Sequence, residues 1–214
     1  MPAFILVRHG ESESNRDSCF AVNGDVPLTD LGRQQARGAA VQIARFFNPQ
    51  RIISSTFARA HQSAEIISAA LSLPLEIVDG IQERDLGSLK GQPWHQHAAL
   101  TAADPNYDKQ REWLWRPPGG ESYEDVRRRV MPILESLRSR YPAEELVLVS
   151  HGAVMRAVWS QLTGAWINSF IPKNCALLLI PHDGKQFLTP TVIAAETGDA
   201  GGETQNALRS DFRE

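Results

Sequence analysis

The chain has 214 residues, 42% of them hydrophobic and 22% charged, and a formal net charge of −3; that is enough for one sizeable core and gives no electrostatic reason to expect nucleic acid or an anionic membrane as partner. No apolar run approaches the ~20 residues that span a bilayer, and the start MPAFILVRHG lacks the basic region and long apolar stretch of a secretory signal, so a cytoplasmic location is expected. The two cysteines, Cys19 and Cys175, lie far apart and in no metal-ligand spacing, which argues against a disulfide framework.

Residues 3–7 form a short run rich in Ile, Leu and Val that ends at Arg8-His9-Gly10, the pattern of a buried strand delivering polar residues at its end. Thr29 or Asp30 can cap a helix running to about residue 47, stopped by Asn48-Pro49. Residues 51–54 read as a second strand, 58–71 as a helix, and Pro74 turns the chain into a third strand over 75–78. Residues 81–120, rich in Gly and Pro, read as irregular. A helix over 123–140 leads into 146–150, the clearest buried strand, which ends at His151-Gly152 before helix resumes over 153–162. Residues 175–180 and 186–193 flank Asp183-Gly184, a hairpin signal. From about residue 196 to 214 the chain is polar and Gly-rich, the composition of a disordered tail. Strands alternating with helices predict a three-layer α/β/α sandwich on a mostly parallel sheet, with the hairpin as an antiparallel edge.

Two of the best strands end in the same dipeptide, His9-Gly10 and His151-Gly152. In open α/β sheets ligands sit beyond the carboxyl ends of the strands, so both histidines can meet in one pocket. The strand over 52–54 leads toward Arg59, and Arg8 precedes His9. Two histidines and two arginines at strand ends describe a site for a compact anion, with phosphate the obvious candidate.

The run Leu6-Val7-Arg8-His9-Gly10-Glu11-Ser12, followed by Asn15, resembles the signature of the histidine phosphatase superfamily, which includes cofactor-dependent phosphoglycerate mutases and many phosphatases. Further matches follow in order: Pro27-Leu28-Thr29 with Gly32 and Gln35-Ala36, Ser54-Ser55 through Arg59-Ala60 to Ala64-Glu65, Gln82-Glu83-Arg84-Asp85-Leu86-Gly87, Gly119-Gly120-Glu121-Ser122 and Ser150-His151-Gly152. A single Arg-His-Gly triplet would be weak; an ordered series of motifs is specific.

The resemblance implies roles. His9 would attack phosphorus through a neutral ring nitrogen, kept unprotonated by Arg8 and Arg59. Arg8, Arg59 and His151 would hold the equatorial phosphoryl oxygens, with Asn15 adding an uncharged donor. Glu83 would protonate the leaving alkoxide and then assist water. With arginines supplying the charge, neither a metal nor another cofactor is called for. The implied partner is a small phosphorylated metabolite, and a homodimer is left open.

Blander readings stand beside these. Glu83 could belong to a surface ion-pair cluster, and Arg59 alone could be a solvated helix residue. Glu11 is expected to bond loops. His95 and His97 could in principle ligate a metal, but lack neighbours at useful spacing and read as loop histidines. Arg127-Arg128-Arg129 on a helix point in different directions, so a solvated face is expected rather than a nucleic-acid patch.

Departures from the mutase pattern favour a phosphatase. Ala21-Val22 stands where mutases carry Thr-Gly, Gly91-Gln92-Pro93-Trp94 where they carry a lysine, and their paired arginines have only the single candidates Arg111 and Arg116. The expected organisation is one domain over residues 1–195 with a lid inserted at about 91–119, short for a mutase, whose aromatics Trp94, Tyr107, Trp113 and Trp115 are expected to pack it onto the body. The reading is a metal-independent phosphomonoesterase; the alternatives are a phosphoglycerate mutase and a catalytically silent phosphate-binding relative.

Overall fold

The computed structural model describes residues 1–166 and 172–193, and the expected tail at 196–214 lies outside them. Its centre is a six-stranded sheet in the order β3-β2-β4-β1-β5-β6. The strands are β1 (Ala3–Arg8), β2 (Arg51–Ser54), β3 (Leu75–Ile77), β4 (Leu146–Ser150), β5 (Leu177–Pro181) and β6 (Thr191–Ile193). Strands β3, β2, β4 and β1 run parallel, and β5 and β6 add the antiparallel edge. The hairpin expected at Asp183-Gly184 forms, with Gly184 at φ 86° and a bridge between His182 and Phe187. Its second strand is shorter than expected, because Pro190 cannot donate to the ladder and pairing resumes at Thr191.

The helices are α1 (Glu13–Arg16), α2 (Asp30–Phe46), α3 (Ala58–Leu71), α4 (His97–Ala102), α5 (Tyr123–Arg140) and α6 (Gly152–Thr163). Capping chemistry sets their starts. The Thr29 hydroxyl accepts from Gly32 N, and Ser122 with Asp125 forms a reciprocal capping box at α5. Alternation along β1 then decides the layers. Phe4 and Leu6 face Val126, Val130, Leu134 and Leu137 of α5 and Val154 and Val158 of α6. Ile5 and Val7 face Ala36, Ala40 and Ile43 of α2 and Ala60, Ala64 and Ile67 of α3. The result is the three-layer α/β/α sandwich.

Strands β1, β4 and β2 are neighbours, with Arg8 in register with Ser150 and Ser54 with Val149. Their carboxyl ends therefore deliver His9, His151 and Ser55 side by side. Between β3 and α5 the chain is irregular, as expected, apart from 3-10 turns and the short α4. No helix among the described residues is long and apolar enough to cross a membrane.

Candidate active site

His9 follows β1 and is 2% exposed. Its Nδ1 lies 2.7 Å from the Gly10 carbonyl oxygen, which can only accept, so Nδ1 carries the proton and Nε2 keeps a lone pair. That lone pair accepts from Arg59 Nε at 3.1 Å. Burial first, then the charges of Arg59 and Arg8, hold His9 well below the ordinary histidine value, so the ring is neutral.

The loop after His9 is held by close backbone approach. A Cβ on Gly10 would overlap the Gly32 carbonyl oxygen, and one on Gly32 would overlap that of Glu11. Gly10 N donates to Ser63 Oγ at 3.0 Å, and Ser63 Oγ donates to the Arg59 carbonyl, tying the loop to the first turn of α3. Glu11 bonds loops, as expected: its carboxylate accepts from Thr29 Oγ1 at 2.7 Å and its N–H donates to Gln35.

Arg59, 3% exposed, opens α3 with its guanidinium over the Phe57 ring. Arg8 donates through Nη1 to the Pro172 carbonyl at 2.6 Å, and its Nε is buried without a protein partner. His151 is the N-cap residue of α6 and is fully buried, its ring 5.2 Å from that of His9. Its Nε2 lies 2.9 Å from Ser55 Oγ, and its Nδ1 has no protein partner. Burial first, and then Arg59, hold His151 well below the ordinary histidine value. Sequence spacing thus brings Arg8, His9, Arg59 and His151 together.

Asn15 lies in α1, just after the His9 loop, with its amide oxygen committed to that loop. Its Oδ1 accepts from Ser12 N in the capping box of α1 and from Asn174 Nδ2, which also donates to the His9 carbonyl. Asn15 therefore supports the loop, and only its Nδ2 is left as a donor toward a ligand.

Glu83 reaches the same cluster from the other side. Its Oε1 accepts from Ala153 N, in the first turn of α6, at 3.1 Å and from Arg84 N at 2.9 Å. Its backbone is gripped by Arg129, which donates to the carbonyls of Gly80, Gln82 and Glu83 and pairs with the Glu121 carboxylate. This corrects the expected solvated face of Arg127-Arg128-Arg129. Arg128 is exposed and pairs with Glu124, but Arg129 turns inward to hold the loop carrying Glu83.

A cavity of about 240 Å³ opens beside these groups, lined by Ala21, Val22, Phe57, Arg59, Glu83 and Arg84, together with Asn23, Gly24, Asp85, Leu86 and Lys90. Neither imidazole is among the lining residues; Arg59, bonded to His9 Nε2, lies between that nitrogen and the open space. Arg84 is 6% exposed, stacks on the Tyr123 ring and makes no hydrogen bond or ion pair with its guanidinium among the described residues. Sequence reasoning gave Arg84 no role of its own, read Arg129 as part of a solvated face, and passed over Lys90 and Asn174.

The residues tied to the mutase comparison fall as follows. Ala21 and Val22 line the cavity, whereas Arg111 and Arg116 are exposed and pair with Asp108 and Asp125. None of the four aromatics of the 91–119 segment lines the cavity: Trp115 donates to Asp104 and meets Tyr107 edge-on within the segment, Trp113 stacks on Trp166 of the body, and Trp94 is exposed rather than packed. His97 packs between Phe20 and Trp115, and His95 is exposed. No group of three or more His, Cys, Asp or Glu among the described residues is placed to hold a metal ion, and Cys19 and Cys175 are both free.

A model of the histidine phosphatase superfamily, branch 1, matches residues 4–192. The chain is 31% identical over 164 residues to "Uncharacterized phosphatase PhoE" of Bacillus subtilis (strain 168), covering 77% of this chain and 79% of that one. It is 30% identical over 200 residues to "Probable phosphoglycerate mutase GpmB" of Salmonella paratyphi C, covering 91% of each. Among solved structures, a mycobacterial glucosyl-3-phosphoglycerate phosphatase complexed with VO3 superposes with a TM-score of 0.77 at 25% identity, covering 90% of this chain and 97% of that one. Strand-end histidines, buried arginines and a match running through nearly all the described chain converge on one statement: the chain belongs to the histidine phosphatase superfamily, branch 1, and is a phosphatase.

Proposed function

We propose that the chain hydrolyses small phosphorylated metabolites in two steps through a phosphohistidine on His9, with Glu83 as the proton donor. The carrying observation is the fixed tautomer of His9, whose Nε2 lone pair is aimed at the Arg59 guanidinium. In the first step Arg59 moves from that lone pair onto the phosphoryl oxygens. Nε2 bonds to phosphorus, the bond to the leaving oxygen breaks, and a proton passes from the Glu83 carboxyl to that oxygen. In the second step the Glu83 carboxylate takes a proton from water as its oxygen bonds to phosphorus. The N–P bond breaks, its electron pair returns to Nε2, and inorganic phosphate leaves. Arg8 and Arg59 neutralise the equatorial oxygens throughout, with the neutral His151 ring and Asn15 Nδ2 as further donors, so the chemistry asks for no metal.

The leaving group belongs in the cavity beside Glu83. Ala21, Val22, Phe57 and Leu86 suit a short carbon chain, and the unpaired Arg84 suits a second acidic group. Phosphoglycerate derivatives and phosphoamino acids fit that description; sugar phosphates and nucleotide-related esters complete the panel to screen. The segment 91–119 serves as a lid, docked by the Arg156–Glu112 ion pair and the Trp113–Trp166 stack. Hydrolysis is favoured over mutase action because apolar Ala21 and Val22 line the cavity, and Arg111 and Arg116 stand outside it.

Turnover in EDTA is the direct test. Wild-type chain should release phosphate, His9→Ala should not, and rapid quenching should trap acid-labile phosphate on His9. Undiminished turnover by His9→Ala would overturn the route. Interconversion of 2- and 3-phosphoglycerate on adding 2,3-bisphosphoglycerate, faster than phosphate release, would favour the mutase.

A further inference from the structure

The His151 ring is wedged between two others, Phe57 at 5.3 Å and His9 at 5.2 Å, both edge-on. It has no exposed edge. A neutral imidazole carries one proton on one of two nitrogens, and which one decides whether the ring can donate to an anion or would repel it. At His9 a carbonyl makes that choice. At His151 the partner is a hydroxyl, which can donate or accept, so the other bonds of that hydroxyl make the choice.

Ser55 Oγ has two contacts: it accepts from the Phe57 N–H at 3.4 Å, and it lies 2.9 Å from His151 Nε2. The backbone of Ser55 is committed elsewhere, its N–H to Val149 and its carbonyl to Ser54 Oγ. With the Phe57 N–H supplying the donor to Oγ, the hydroxyl proton of Ser55 needs an acceptor, and Nε2 is the acceptor within reach. Nε2 is then the bare nitrogen, and the ring proton sits on Nδ1, the atom left buried without a protein partner. Buried N–H groups are rarely left unmade without a reason, because nothing replaces the lost hydration.

We propose that Ser55 is a positioning residue that locks His151 in its Nδ1–H form, holding that unpaired N–H ready for a phosphoryl oxygen. The inference rests on the reading of His151 as a phosphate-binding group but adds a residue and a proton position to it. In the opposite tautomer the ring would present a lone pair to an anionic oxygen and weaken the transition state. Ser55 touches neither phosphate nor leaving group in this account; it acts through the ring.

A long-range 1H–15N correlation spectrum of the intact chain, assigned with His151→Gln, reads the tautomer directly. Wild type should show His151 protonated at Nδ1 and bare at Nε2. Ser55→Ala should populate the Nε2–H form and lower kcat by about 10²-fold, the scale of one preorganised donor. Ser55→Thr, which keeps the hydroxyl, should restore both readouts. A wild-type His151 protonated at Nε2 would overturn the proposal, as would a Ser55→Ala chain that keeps the Nδ1–H form, whatever its rate. A tautomer that shifts without loss of kcat would instead overturn His151 as a donor. Because trapping of phosphate on His9 does not depend on this tautomer, the two readings can fail separately.

Discussion

Arg59 donates to a neutral histidine, and this one bond sets the acid behaviour of the proposed nucleophile. Protonating His9 would bury a third positive charge beside those of Arg59 and Arg8, and its value is pushed well below 6.5 by burial and those charges. The kcat/KM profile should therefore show no acid limb near pH 6.5; a limb there would mean that His9 titrates as a solvated ring. At this scale the motifs made His9, His151, Arg8 and Arg59 legible, since a strand end fixes the direction of the first three and the short link from β2 to α3 fixes that of Arg59. The tie from Asn15 Oδ1 to Asn174 was not legible, because Asn174 is distant in the chain. Arg84 could not be read, because the sequence shows it adjacent to Glu83 and says nothing of Tyr123, the ring that orients it.

Helix α5 acts on the candidate site from a distance through Arg129. Its guanidinium bonds the carbonyl groups of Gly80, Gln82 and Glu83 in the loop ending at Glu83 and is itself held by Glu121. Arg129→Met should loosen the Glu83 carboxylate from Ala153 and so impair proton donation rather than phosphoryl binding. Turnover of an alkyl phosphate should fall on the order of 10-fold or more, within the range for a general acid. p-Nitrophenyl phosphate, whose leaving group departs unprotonated, should lose little, and equal losses on both would show a general weakening of the fold. Helices were the most legible elements because their caps are written locally, in Thr29 for α2 and in Ser122 with Asp125 for α5. The inward turn of Arg129 was not legible: three adjacent arginines look alike until the facing loop is known.

Across the whole molecule, two buried neutral histidines couple stability to pH. Both His9 and His151 are held well below 6.5 in the folded chain, so below that value the unfolded chain binds protons that the folded chain does not. Stability should fall as pH drops below about 6.5, by up to ~1.4 kcal/mol per pH unit for each histidine until its folded value is reached. Chemical denaturation at pH 7.5, 6 and 5 checks the sign, and a flat profile would mean that the rings are not held neutral. Parallel layering was legible from the alternation of strands and helices, whereas the order β3-β2-β4-β1-β5-β6 was not, because it depends on pairings between distant segments. The arginine seated on His9 Nε2 carries one last consequence. On the proposed route the Arg59 guanidinium covers the nucleophilic nitrogen at rest, so a stray electrophile without negative charge offers that cation no better partner and finds the nitrogen covered. On that route, discrimination by charge comes before any bond is made or broken.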